Sequence, residues 1–234
     1  MPKIKEFDRF SKDVEDFFFE LSQNNNKEWF DINRSIYESE IKDKSKSFVL
    51  KVSELFEKNK LPLIADTKIS LFRINRDIRF SKNKDPYKTN LGIFFPYSEN
   101  PIAYKKEHSL GLYIHYEKDK SFIATGYHNP DSTALKSIRA ALADDWEFYK
   151  SITENTKFIK YFPDEYAAEK PLKRLTGYEQ NHPGADYMKK RDFSYGKNIS
   201  DKIIFDESLP QFIIENAEAS LEFMKFLYNA IYKN

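Results

Sequence analysis

Phe7, Phe10, Val14, Phe17, Phe18 and Leu21 recur at three- and four-residue steps with charged residues between them. That period predicts an amphipathic helix of about four turns. Asn24-Asn25-Asn26 ends it, because asparagine tolerates cap and left-handed backbone. Asn25 followed by Glu28 has capping-box spacing, with Asn in place of Ser or Thr. A second, longer helix is therefore expected from near Lys27 towards Asn59. Its face is Trp29, Phe30, Ile36 and Tyr37, then Phe48, Val49, Val52, Leu55 and Phe56, and Pro62 closes the section. Only a few polar residues join the two helices, so they should form a hairpin locked by Trp29-Phe30.

The period then changes. Ile69 to Phe80 alternates imperfectly, Leu91 to Tyr97 is a short apolar run, and Leu110 to Tyr116 with Lys120 to Tyr127 reads as a hairpin turning at Lys118-Asp119. If Tyr116 opposes Ser121, one face carries Gly111, Tyr113, His115, Phe122, Ala124 and Gly126. The other face carries Leu110, Leu112, Ile114, Ile123 and Tyr127. Asp131 opens a helix bearing Leu135, Ile138 and Leu142, and Asp145 caps a short one with Trp146 and Tyr149. Pro163 to Pro183 is rich in turns, and Arg191 to Lys197 adds a strand with Phe193 and Tyr195 on one face. Pro210 starts a long final helix through Ile231. The expected architecture is one α+β domain over residues 1–234. A mainly antiparallel sheet (67–128) packs with the N-terminal helix hairpin (6–60) and a C-terminal helical and turn region (131–234).

Composition narrows the function classes. Zero cysteines exclude disulfides, thiolate nucleophiles, iron–sulfur clusters and cysteine-based zinc sites. The charged N-terminus has no signal-peptide core and no apolar run is long enough to span a bilayer, so a cytoplasmic, membrane-free protein is expected. The net charge of +1 excludes a globally basic nucleic-acid binder. Within that balance, Arg73, Arg76 and Arg79 are three of eight arginines and fall inside seven residues. Residues 68 to 88 hold seven cations against Asp77 and Asp85, a local +5 that leaves −4 for the remainder.

The run Phe72-Arg73-Ile74-Asn75-Arg76-Asp77-Ile78-Arg79-Phe80-Ser81-Lys82-Asn83-Lys84-Asp85-Pro86-Tyr87-Lys88 resembles the signature of a conserved family of uncharacterised proteins, domain-of-unknown-function family 2461. Asn25-Asn26-Lys27-Glu28-Trp29-Phe30 is similar to its N-terminal block, and Gly177-Tyr178 with His182-Pro183 to its C-terminal block. Lys173-Arg174-Leu175-Thr176 departs from the proline expected there. The resemblance implies a bacterial-type cytoplasmic protein and carries no activity with it.

If residues 70 to 80 form a strand, Arg73, Asn75, Asp77 and Arg79 share a face while Arg76 points with Phe72, Ile74, Ile78 and Phe80. An arginine on an apolar face needs a carboxylate, carbonyls or a bound anion. Guanidinium forks suit bidentate carboxylate or phosphate partners. The segment therefore reads as a binding site for an anionic small molecule or nucleic acid, with Arg73, Arg76, Arg79, Lys82, Lys84, Tyr87 and Lys88 as contacts. It reads equally as a structural ion-pair network, in which Phe72 and Phe80 are core. An enzyme acting on such an anion would use His115 or Asp77 to move protons. A non-catalytic interaction protein is the third possibility. His108, His115, His128 and His182 make no metal-binding pair at helical spacing, and neither metal nor cofactor is expected. No nucleophile elbow, Walker motif or dinucleotide fingerprint occurs. No feature of the pattern specifies an oligomeric state.

Overall fold

The helical spacing near the N-terminus and the alternation of Leu110 to Tyr127 both appear in a computed structural model, which describes residues 6–79, 82–100, 110–166 and 170–233. Five strands, β1 (Leu91–Pro96), β2 (Leu110–Tyr116), β3 (Phe122–Tyr127), β4 (Asp164–Glu165) and β5 (Phe193–Asn198), form one antiparallel sheet in the order β1-β2-β3-β5-β4. The helices are α1 (Lys12–Gln23), α2 (Lys27–Ile36), α3 (Lys44–Lys58), α4 (Ser132–Thr153), α5 (Thr156–Tyr161), α6 (Ala185–Met188), α7 (Asp201–Ile204) and α8 (Leu209–Tyr232). The fold class is α+β. No helix among the described residues is long and apolar enough to cross a membrane.

The chain groups into two compact units, one built from residues 1–95, 113–123 and 198–214, the other from 96–112, 124–197 and 215–234. In the first, α1 buries Val14, Phe17, Phe18 and Leu21. Phe7 and Phe10 are buried too, but in extended chain ahead of the helix, where their rings lie 5.0 and 5.7 Å from that of Phe48. The helix thus starts later than its apolar period suggests, because an extended lead-in can bury residues three apart just as a helix can. Asn26, not Asn25, caps α2, its Oδ1 accepting from Trp29 N at 2.9 Å. The expected lock between the helices is present: the Phe17 ring lies 5.4 Å from Trp29 and 6.2 Å from Phe30.

The second helix of the sequence reading runs from Lys27 to Lys58, but a π-helical stretch (Tyr37–Asp43) divides it into α2 and α3. Each π residue turns less than an α residue, so the buried face of α3 is rotated away from the line of α2. That explains the break in apolar spacing between Tyr37 and Phe48, and why Ile36 is exposed while Ile41 is buried. The β2–β3 turn has Asp119 at φ 61°, a left-handed position without glycine. The Asp201 carboxylate at the start of α7 secures it, accepting from Asp119 N at 2.8 Å and Ser121 Oγ at 2.6 Å. Leu112, Ile114 and Ile123 are buried, whereas Tyr113, His115, Phe122 and Ala124 are partly open, as the alternation predicts.

In the second unit, Asp131 caps α4 by accepting from Ala134 N at 2.8 Å. The helix breaks at Asp145 (φ −146°, ψ 55°), whose carboxylate accepts from Phe148 N. β4 pairs with β5 through Asp164↔Gly196 and Glu165↔Tyr195. Gly126 has φ 115°, and a Cβ there would fall on the Phe193 carbonyl oxygen, so glycine is what lets these two backbones approach. Phe158, Tyr195 and Tyr149 surround Phe223 of α8 with ring centroids 5.2 to 6.0 Å away.

Candidate functional site

The arginine segment belongs to the first unit. It is not a regular strand: Leu71↔Ile93 and Asn75↔Tyr87 are isolated antiparallel bridges. Arg76 N donates to Pro86 O at 2.9 Å, Lys88 N to Ile74 O at 2.8 Å, and Phe94 N to Ser70 O at 2.9 Å. Residues 70–76 therefore run antiparallel to 86–94 as a ragged ribbon. Four steps separate Leu71 from Asn75, but six separate Tyr87 from Ile93, so the returning side carries two extra residues. Such a bulge interrupts the ladder and re-aims neighbouring side chains. That is why an alternating sequence yields no continuous strand here.

Asn25 anchors the ribbon. Its Nδ2 donates to Tyr87 O at 3.0 Å and its Oδ1 accepts from Tyr87 N at 3.1 Å, so the amide pairs with backbone as another strand would. The Tyr87 ring stacks on Phe30 at 4.1 Å and 14°. This is why Asn25 cannot serve as the cap of α2. The N-terminal block of the chain is thereby fastened to the basic segment.

A cleft of about 390 Å³ lies between the π stretch and this ribbon. Tyr37, Ile41, Leu71, Phe72, Ile74 and Tyr87 contribute apolar wall, and Arg34, Lys42, Lys46 and Arg73, together with the Glu38 carboxylate, contribute charge. Three of these cations are paired: Arg34 with Asp31 (2.5 Å), Lys42 with Glu38 (2.6 Å) and Lys46 with Asp43 (2.7 Å). Arg73 has no ion pair or hydrogen bond from its side chain among the described residues. Burial, and then Glu38, push the Tyr37 hydroxyl up to about 12, so it remains a neutral donor. Ser45 is among the residues around the same cleft, and its almost completely buried Oγ lacks a hydrogen-bond partner.

Beside the cleft, burial lowers the Lys88 ammonium below its ordinary value, and the nearby Arg73 and Arg76 lower it further. Arg76 Nε is buried without a partner. The Lys88 ammonium lies 5.3 Å over the Phe72 ring, which is 53% exposed rather than part of the core. Arg73, Arg76 and Lys88 thus lie within electrostatic reach of one another, and the carboxylate that also feels Arg73, Asp77, is hydrogen-bonded to Arg79.

A family model for a conserved hypothetical protein (DUF2461) matches residues 13–226. The chain belongs to that family. Searches of curated proteins and of solved structures each returned no match.

The remaining expected contacts of this DUF2461 chain lie apart from the trio. Arg79 grips Asp77 with Nε and Nη2 at 3.0 and 2.7 Å, which holds the Asp77 carboxyl below its ordinary value. Lys82 and Lys84 are exposed in the tip of the ribbon, and Lys84 Nζ donates to Ile78 O at 2.9 Å. Phe80, Ser81 and His108 lie outside the described residues. His115 stacks on Phe122 at 4.7 Å, its Nδ1 meets Tyr113 Oη at 2.9 Å, and its Nε2 is 3.5 Å from Glu117. Burial lowers its basicity, and it is not among the cleft-lining residues. Among the described residues no three His, Asp or Glu side chains are grouped to hold a metal ion. Asn25, Ser45 and the π stretch escape sequence reading. The gap in apolar spacing after Tyr37 is the only signal of the last.

Proposed function

We propose that this chain binds a small anionic ligand, phosphate-bearing by preference, through Arg73, Arg76 and Lys88. The observation that carries the reading is the proximity of three cations, one with an orphaned buried Nε, while Asp77, the carboxylate that feels Arg73, is already gripped by Arg79. Holding like charges together costs free energy unless an anion offsets it. Guanidinium groups meet phosphate or carboxylate oxygens bidentately, which favours this partner over a neutral one. Arg79, already engaged by Asp77, serves better as support for the ribbon tip. Lys82 and Lys84, exposed in the ribbon tip, serve as outer cations that draw the anion towards the segment. The cysteine-free, evenly charged composition supports a cytoplasmic setting.

Thermal denaturation with pyrophosphate tests the reading. A ligand at a hundred times its Kd should stabilise the native chain by about 2.7 kcal/mol, a rise of several degrees in melting temperature. Arg73→Gln, at an exposed position, should melt like the wild type without ligand and lose that rise. Equal stabilisation of both proteins would remove Arg73 from the site, and no stabilisation of either would sink the proposal.

A further inference from the structure

The cleft next to the cations has the lining of a ring pocket. Phe72 presents a half-exposed ring at its wall, flanked in sequence by Arg73 and covered on one side by the Lys88 ammonium. An exposed aromatic face beside cations is a place where a flat ring can stack while its anionic tail reaches the charge. Ser45 supplies a second, independent feature. A serine inside a helix ordinarily satisfies its hydroxyl on the carbonyl one turn back, as Ser47 does on Asp43 O at 3.0 Å. Ser45 Oγ does not, although it is almost completely buried, in a residue that borders the cleft. A buried hydroxyl without a partner is costly, which makes it a group waiting for a polar atom from outside the chain. The adjoining π stretch is a conformation that recurs at functional sites. The cleft volume, about 390 Å³, falls in the range of about 300–1,000 Å³ typical of small-molecule sites.

Resting on the anion-site reading above, we infer that the ligand is a phosphate ester of a planar ring, of the aryl or nucleoside class. The ring lies in the cleft against Phe72, a polar atom of the ring meets Ser45 Oγ, and the phosphate meets Arg73 and Lys88. The inorganic anion is then only part of what is recognised.

Calorimetric titration of the full chain with inorganic phosphate, 1-naphthyl phosphate and adenosine monophosphate separates the contributions. The ring esters should bind at least about tenfold more tightly than phosphate. Phe72→Leu, at a half-exposed position that leaves the fold intact, should bring both esters back towards the affinity of phosphate. Ser45→Ala should weaken adenosine monophosphate about fivefold while leaving phosphate, and naphthyl phosphate with its apolar ring, unchanged. Its melting temperature should stay level or rise, since the lost hydroxyl had no partner. Binding of both esters supports the class as a whole, and binding of one alone supports it and assigns the source of the ring. If phosphate binds and the esters bind no better, or if Phe72→Leu leaves all three affinities unchanged, the ring inference fails and the anion site stands. If none of the three binds, both fail.

Discussion

Lys88 is the residue at which charge, burial and binding are coupled most tightly. Its ammonium is half-buried, over the face of Phe72, and its pKa is lowered from 10.5 by burial and by Arg73 and Arg76. A bound anion works in the opposite direction, favouring the protonated form. Ligand affinity should therefore fall as pH rises into the alkaline range, beginning below the pH at which an ordinary lysine titrates. Proton uptake on binding should appear over the same range. Lys88→Met relieves repulsion in the free protein, so its melting temperature should not drop. A charged hydrogen bond is worth about 1.5–3 kcal/mol, so anion affinity should fall tenfold or more, and the alkaline slope should disappear. Titration with pyrophosphate from neutral to alkaline pH checks both points, and a flat wild-type profile would exclude Lys88 from contact. His115 lies on the opposite side of the ledger of expected site residues: its contacts with Tyr113, Phe122 and Glu117 account for its position without any ligand.

At the scale of elements, the site depends on an irregular ribbon fastened by one side chain. Asn25→Ala would leave the amide and carbonyl of Tyr87 without their partners, at a cost of about 1–3 kcal/mol. It should also loosen the Tyr87–Phe30 stack and the position of Arg73, so both melting temperature and anion affinity should fall. Asn25→Asp is the informative companion: its carboxylate still accepts from Tyr87 N but cannot donate to Tyr87 O. An intermediate loss of stability is expected in urea unfolding, whereas a wild-type midpoint for Asn25→Ala would show that the ribbon holds itself. Much of the surrounding framework was legible in the chain. The helix hairpin, the two faces of β2 and β3, the caps at Asp131 and Asp145 and the strand near Phe193 all follow from periodicity and cap chemistry, which are local. The ribbon was not. Two extra residues on its returning side interrupt alternation, and Asn25 acts across 62 positions on a backbone group. Within a run of three asparagines, nothing local distinguishes the one that caps from the one that reaches. Phe72 escaped for a related reason, since apolar character in an alternating segment predicts burial, and here the ribbon turns that ring outwards.

Across the whole molecule, the charge distribution decides what size of anion the site can hold. The chain carries +1, yet residues 68–88 hold seven cations against two carboxylates, and the rest of the chain is −4. Charges in about 0.1 M salt are felt over about 10 Å. A small dianion at Arg73, Arg76 and Lys88 therefore senses mainly the cluster. A long polyanion also samples the rest of the chain, whose charges sum to −4. Each phosphate contacted on a single strand contributes about −0.7 to the slope of log affinity against log salt. With three cations engaged, that slope should be no steeper than about −2. Binding of a short oligothymidylate and of pyrophosphate, compared by competition between about 50 and 200 mM salt, tests this. The small ligand should retain most of its affinity, while the oligonucleotide should bind weakly at low salt and be lost at high salt. A slope steeper than about −4 would mean that six or more phosphates are contacted. That would require Arg79, Lys82 and Lys84 to join the surface. In that case the basic segment would be a nucleic-acid interface, with the cleft beside it a place for one of its bases, and the small-ligand reading would give way.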